Sequence, residues 1–312
     1  MRHTKAIAIY LAAVFLGAAL LAPLLWTAVS PSPDKPKQEH LTNNQGVGFL
    51  KFLKSHNDFH RYVKRCMEGL ALLGLCLLLY FTKINSYRDI GWVKPSGQWL
   101  RFGRGLLLGL ASLAAAATVP LLLESREFNH DHVLINWVNK LPGIFASALA
   151  LAVMEETLFR GALFGLLRRD FNWRWAALAS SLLFATAHFI TQKPMVETVT
   201  WTSGITTLPD MLESFWSTQF GPAKFLNLLL AGMTLCGLWQ HTGNLYCSIG
   251  AHAGWIICFR INEFATKSSD EESSAIWGTA IISDGWVATP LLLFMVWFIF
   301  RNSGFRPEKR VH

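Results

Sequence analysis

Eight apolar stretches limit what this chain can fold into. They fall near 6–29, 66–84, 101–123, 142–167, 174–191, 224–240, 243–261 and 285–301. A bilayer admits only backbone that satisfies its own hydrogen bonds, and a run of about 20 apolar residues does so as a helix. The expected fold is therefore all-α, a polytopic membrane bundle of about eight transmembrane helices. Composition agrees, because 52% hydrophobic residues against 15% charged is too apolar for an ordinary soluble domain. The net charge of +8 does not indicate nucleic acid. Its lysines and arginines cluster in short connectors and at the termini beside apolar segments, which is a membrane pattern.

Those connectors predict an orientation. Arg2 and Lys5, then Lys83, Arg88, Lys94, Arg101 and Arg104, then Arg168, Arg169 and Arg174, then Arg301, Arg306, Lys309 and Arg310 all fall on one side if both termini are cytoplasmic, the side that basic loops prefer. Residues 124–141 and 262–284 are poorer in base and lie opposite. Residues 30–65 hold seven Lys or Arg and run against this pattern. The first stretch is too long for a signal-peptide core, so it reads as a retained helix. The expected location is a plasma membrane, the bacterial inner membrane, with the lipid bilayer as one partner and no nucleic acid.

The expected organisation has three parts. Residues 1–140 carry transmembrane helices 1–3, with an interfacial amphipathic helix in 40–65. Residues 141–261 form a core of helices 4–7, and 262–312 supply a linker, the last helix and a basic cytoplasmic tail. Residues 192–222, with Pro194, Pro209 and Pro222, read as an irregular external loop, and 265–276 as a disordered linker. The five cysteines show no C-x-x-C pairing and read as small buried hydrophobes.

Polar residues inside the apolar runs carry the chemistry. Glu155 and Glu156 sit side by side in the fourth stretch, with Arg160 one turn on; His188 lies in the fifth and His252 in the seventh. Intramembrane ionisable groups are expensive and default to function. Glu156 and Arg160 are spaced i,i+4, so they form an intrahelical pair, and Glu155 remains the less compensated carboxylate. Gly250, Ala251, Ala253 and Gly254 flank His252, allowing close helix approach and leaving room for water. His241 lies in a connector and reads as a surface or capping residue. Together these groups suit peptide hydrolysis without a covalent intermediate: Glu155 takes a proton from water, His188 orients that water, and His252 donates to the oxyanion. Glu155, His188 and His252 are also an acceptable zinc set, without the H-E-x-x-H spacing. A non-catalytic immunity or peptide-binding protein and a proton-coupled transporter are the other readings of the same cluster.

EETLFRG in the fourth stretch, FATAH in the fifth and HAGWI in the seventh resemble, in that order, the three motifs of the CAAX-protease and bacteriocin-processing (Abi-like) family of glutamic-type intramembrane proteases. The resemblance covers about 141–261. It implies that Glu155 is the water-activating base, Glu156 with Arg160 its supporting pair, His188 the second histidine around the water, and His252 the histidine at the oxyanion side. It implies no metal or cofactor, and a protein or peptide substrate in or near the membrane. Many members carry Asn four residues after the third-motif histidine. Here that position is Ile256, leaving Asn244, Asn262 or Arg160 as substitutes.

Overall fold

A computed structural model of the chain describes residues 2–29, 59–189, 199–217, 221–268, 276–278 and 282–302. They are helical almost throughout: α1 (Arg2–Val29), α2 (Phe59–Phe81), α3 (Trp99–Leu122), α4 (Leu134–Glu156), a π-helical segment (Thr157–Phe164), α5 (Gly165–Asp170), α6 (Trp173–Ala187), α7 (Ser203–Ser217), α8 (Gly221–Thr242), α9 (Tyr246–Ala265) and α10 (Thr289–Asn302). Two three-residue strands, β1 (Arg126–Phe128) and β2 (Thr266–Ser268), pair antiparallel. Among the described residues, four helical stretches are long and apolar enough to span a membrane: Arg2–Ala28, Trp99–Leu122, Leu134–Asp170 and Gly221–Thr242. The protein is a multi-pass membrane protein. Leu73, Leu77, Leu107, Leu122, Phe294 and Trp297 are more than half exposed, which is the surface that hydrocarbon covers.

The structure departs from the sequence pattern in three places. Residues 203–217 are helical rather than irregular. Ser203, Gly204 and Thr207 are buried at helical spacing, Leu208 packs beside them, and Gly204 lies directly against the Ala19 carbonyl. Packing of these small residues holds the helix despite Pro209, a case of tertiary context overriding propensity. The second stretch begins earlier, at Phe59, so Lys64 and Arg65 sit in the opening turns of α2 and meet Glu68 at 3.9 and 3.8 Å. His241 belongs to the last turn of α8 and is exposed. The interfacial helix over 40–58, residues 192–198 of the loop, residues 269–275 of the linker and the 303–312 tail lie outside the described residues.

The chain divides into two compact units, Met1–Ile7 with Leu78–Ala187 and Phe215–His312, and Ala8–Leu77 with His188–Ser214. In the second, Ala18 and Ala22 of α1 meet Phe59, Tyr62, Val63 and Cys66 of α2. Trp26 presents its ring edge-on to Phe59 and Tyr62, and Tyr10 Oη donates to the Ala71 carbonyl at 2.7 Å.

The first unit is organised around the crossing of α3 and α9. A Cβ on Gly105 or Gly109 would fall on the carbonyl oxygens of Cys247 and Ala251, and one on Gly250 on that of Phe102; Gly254 abuts Leu106. Two small-xxx-small pairs therefore bring two backbones into direct contact, the arrangement by which helices associate in lipid. Trp255 Nε1–H donates to Ser112 Oγ at 2.9 Å across the same interface. Leu230, Leu235 and Leu238 of α8 pack with Leu292 and Met295 of α10 around it. The third stretch thus shares a unit with the first and third motifs.

Candidate active site

The residues of the first motif lie where α4 changes its winding. Glu155 and Glu156 are the last two residues of α4, and the π-helical segment begins at Thr157 and contains Arg160. A π-turn breaks the regular i→i−4 ladder and is frequent at functional sites. Glu156 and Arg160 are both fully buried, with Arg160 Nη1 2.9 Å from Glu156 Oε1, a close ionic contact without hydrogen-bond alignment. The i,i+4 pairing expected from sequence is present.

The guanidinium has a second neighbour. Its carbon lies 4.4 Å from the Phe184 ring centroid on α6, a cation–π geometry that offsets part of the cost of burying the charge. Phe184 also meets Phe159 and His252 edge-on, at 5.1 and 5.9 Å. Ser180 Oγ donates to the Phe159 carbonyl at 3.0 Å, fixing α6 to the π-turn.

His252 enters from α9. Its Nδ1 is 2.9 Å from Glu156 Oε1, and its Nε2 is 3.8 Å from Glu155 Oε2. A carboxylate only accepts, so Nδ1 carries the proton that bonds Glu156, and this contact orients the ring. The other nitrogen then faces Glu155, beyond hydrogen-bond length. In this tautomer both Nε2 and the carboxylate oxygen are acceptors, so this edge suits a hydrogen-bond donor. Glu155 is the more accessible carboxylate, 15% exposed against 0% for Glu156.

Four of the five candidate residues thus come together. His188 stands one residue beyond α6, partly exposed, in the second compact unit. The glycines beside His252 do not leave room for water, because Gly250 and Gly254 are filled by the α3 backbone. Of the substitutes for the third-motif Asn, Asn244 is engaged at the N-terminal end of α9, accepting from the Tyr246 N–H at 3.1 Å and donating to Gln98 Oε1 at 3.2 Å. Asn262 lies ten residues beyond His252, roughly 15 Å along the helix. Arg160 alone of the three is beside the cluster. Ile256 is buried, one turn after His252.

Residues 137–258 match the family model described as type II CAAX prenyl endopeptidase Rce1-like. That segment is related to the CAAX-protease family. It contains all three motifs, and with them every residue of the Glu155–Glu156–Arg160–His252 cluster. No curated protein and no solved structure gives a significant match.

Sequence reasoning passed over Trp92 and Thr157. Trp92 Nε1–H donates to Thr157 Oγ1 at 3.2 Å, and Thr157 Oγ1 donates to the Val153 carbonyl at 2.6 Å. The first of these joins residues 65 positions apart, and no local pattern announces such a contact.

Proposed function

We propose that the protein is an intramembrane endopeptidase that hydrolyses a peptide bond of a membrane-associated or secreted protein or peptide with a Glu/His-activated water. The observation that carries this reading is Glu156, whose Oε1 meets both Arg160 and His252 Nδ1 and leaves His252 Nε2 turned to Glu155. Relation of residues 137–258 to the CAAX-protease family supports the same chemistry.

In this reading Glu155 removes a proton from water as the oxygen attacks the scissile carbonyl carbon. His252 Nε2 serves the developing oxyanion as a hydrogen-bond donor and keeps its proton throughout, and a fixed donor in a water-poor site counts for most there. His188, the second-motif histidine, orients the water. Collapse of the tetrahedral species breaks the C–N bond, and the leaving amine takes the proton from Glu155, which returns as carboxylate. Arg160 and Glu156 hold the imidazole in its working orientation and touch no substrate. Ile256 in place of Asn leaves oxyanion stabilisation to His252.

The test is cleavage by purified protein in lipid nanodiscs. Two probes are used, an internally quenched farnesylated peptide with a C-terminal CAAX sequence and a membrane-protein extract read by mass spectrometry of new termini. The parent protein produces new termini, and Glu155→Gln, which keeps shape but loses the base, lowers the rate by about 10²–10⁴. Identical termini from parent and Glu155→Gln protein would remove the endopeptidase reading.

A further inference from the structure

The connector between α2 and α3 touches both helical stretches that carry the cluster. Along the π-turn and into α5, residues 157, 161 and 165 follow at four-residue intervals, and each meets this connector. Trp92 Nε1–H donates to Thr157 Oγ1 at 3.2 Å. A Cβ on Gly161 would come within 2.7 Å of the Ile90 carbonyl oxygen, and one on Gly165 within 3.9 Å of that of Asp89. The glycine that ends EETLFRG is therefore required by the backbone lying against it.

The other edge of the connector grips the start of α9. The Leu245 N–H donates to the Gly91 carbonyl at 3.1 Å, and Tyr246 Oη donates to that of Val93 at 3.0 Å. Trp92 packs edge-on against Tyr246 at 5.8 Å, and Asn244 Nδ2 donates to Gln98 Oε1 at 3.2 Å. Gly91 makes the turn possible. Its φ is +84°, and a side chain there would strike Trp239 and Leu245.

We propose that residues 89–98 are a positioning strap. They lock the helix that carries Glu155, Glu156 and Arg160 to the N-terminal end of the helix that carries His252, and so set the 2.9 Å contact between Glu156 and His252. Trp92 is its central positioning residue, acting through Thr157 and Tyr246 without touching substrate. The effect on rate rests on the endopeptidase reading; the effect on structure does not.

Trp92→Phe deletes the bond to Thr157, Thr157→Val deletes that bond together with the one to the Val153 carbonyl, and Gly161→Ala pushes the Ile90 backbone away. Two readouts are taken in nanodiscs: hydrogen exchange of peptides covering 153–165 and 244–256, and kinetics on the farnesylated CAAX peptide. In Trp92→Phe, exchange accelerates in both peptides by about fivefold, the size expected for one net hydrogen bond. The kcat falls by a similar factor with KM unchanged, as for an interaction that orients catalytic groups rather than binding substrate. The Trp92→Phe/Thr157→Val double variant loses less than the two single losses multiplied together, because both remove the Trp92–Thr157 contact and only Thr157→Val also removes the bond to Val153. Trp297→Phe, on the exposed face of α10, changes neither readout. Acceleration confined to residues 87–98, or losses that multiply in the double variant, would overturn the strap. A parent protein that cleaves neither probe would end the endopeptidase reading, while the exchange pattern would still decide for or against the strap.

Discussion

Glu156 is the residue through which the site holds together. It is fully buried, faces one permanent cation, and accepts from His252. Removing one partner of a buried ion pair typically costs about 3–5 kcal/mol, because the other charge is left without compensation. Glu156→Gln and Arg160→Ala should each lower the thermal midpoint of the purified protein. The double variant Glu156→Gln/Arg160→Ala should be less damaged than the sum of the two, since neither charge is then stranded; strictly additive losses would show that the pair is not coupled. Chelation makes a separate forecast. With Nδ1 of His252 bonded to Glu156, the proposed water-activating role of the imidazole predicts that prolonged chelator treatment leaves cleavage of the farnesylated peptide intact. Activity lost to chelator and restored only by zinc would instead make Glu155, His188 and His252 ligands.

Between elements, the site depends on how closely α3 and α9 approach. Gly105 and Gly109 face the α9 backbone, whereas Gly103 on the same helix has open space around it. Gly109→Ala should therefore destabilise by about 1–3 kcal/mol through overpacking and lower activity by displacing His252. Gly103→Ala should be neutral or stabilising by up to about 1 kcal/mol, through helix propensity alone. Thermal melts of the two variants side by side check this, and equal effects would deny the tight crossing. The contrast also marks how far the sequence can be read. Glu155, Glu156, Arg160 and His252 were legible because ionisable groups stand out in apolar runs, and the Glu156–Arg160 pair followed from helical spacing. The π-turn was not legible, because TLFRGALF is apolar on nearly every face and shows no change of period. Helix α7 was missed because its buried face is built from Ser203, Gly204 and Thr207, residues that in isolation spell a loop. Gly250 and Gly254 were recognised as a place of close approach, but only the fold shows that the α3 backbone occupies it.

At the scale of the whole molecule, three contacts within the first unit bear on orientation independently of the basic residues. The Thr4 backbone N–H and Oγ1 donate to Asp170 Oδ2 at 2.8 and 2.7 Å, joining the first turn of α1 to the last residue of α5, at the edge of the connector that follows it. The connector before α3 joins the turn between α8 and α9 through Gly91 and Leu245. Strands β1 and β2 join the connector after α3 to the one after α9, with Arg126 Nε donating to Thr266 Oγ1 at 2.9 Å. Each contact links connectors that an eight-span topology assigns to the same side: the first two to the basic side, the third to the opposite one. With the positive-inside preference, we expect the N-terminus, residues 82–98, residues 168–172 and the C-terminus to be cytoplasmic, and residues 124–133 and 266–284 to be external. Reporter fusions after Lys5, Arg169 and Lys309 should signal cytoplasm, and fusions near Asp131 and Lys267 should signal the outside. The informative case is a split within a contacting pair. If Lys5 and Arg169, or Asp131 and Lys267, reported from opposite sides, the eight-span topology would fail even where the charge pattern held. If every pair agreed but with all signs reversed, the helices would stand and the basic residues of 30–65 would prove to be the ones that set orientation.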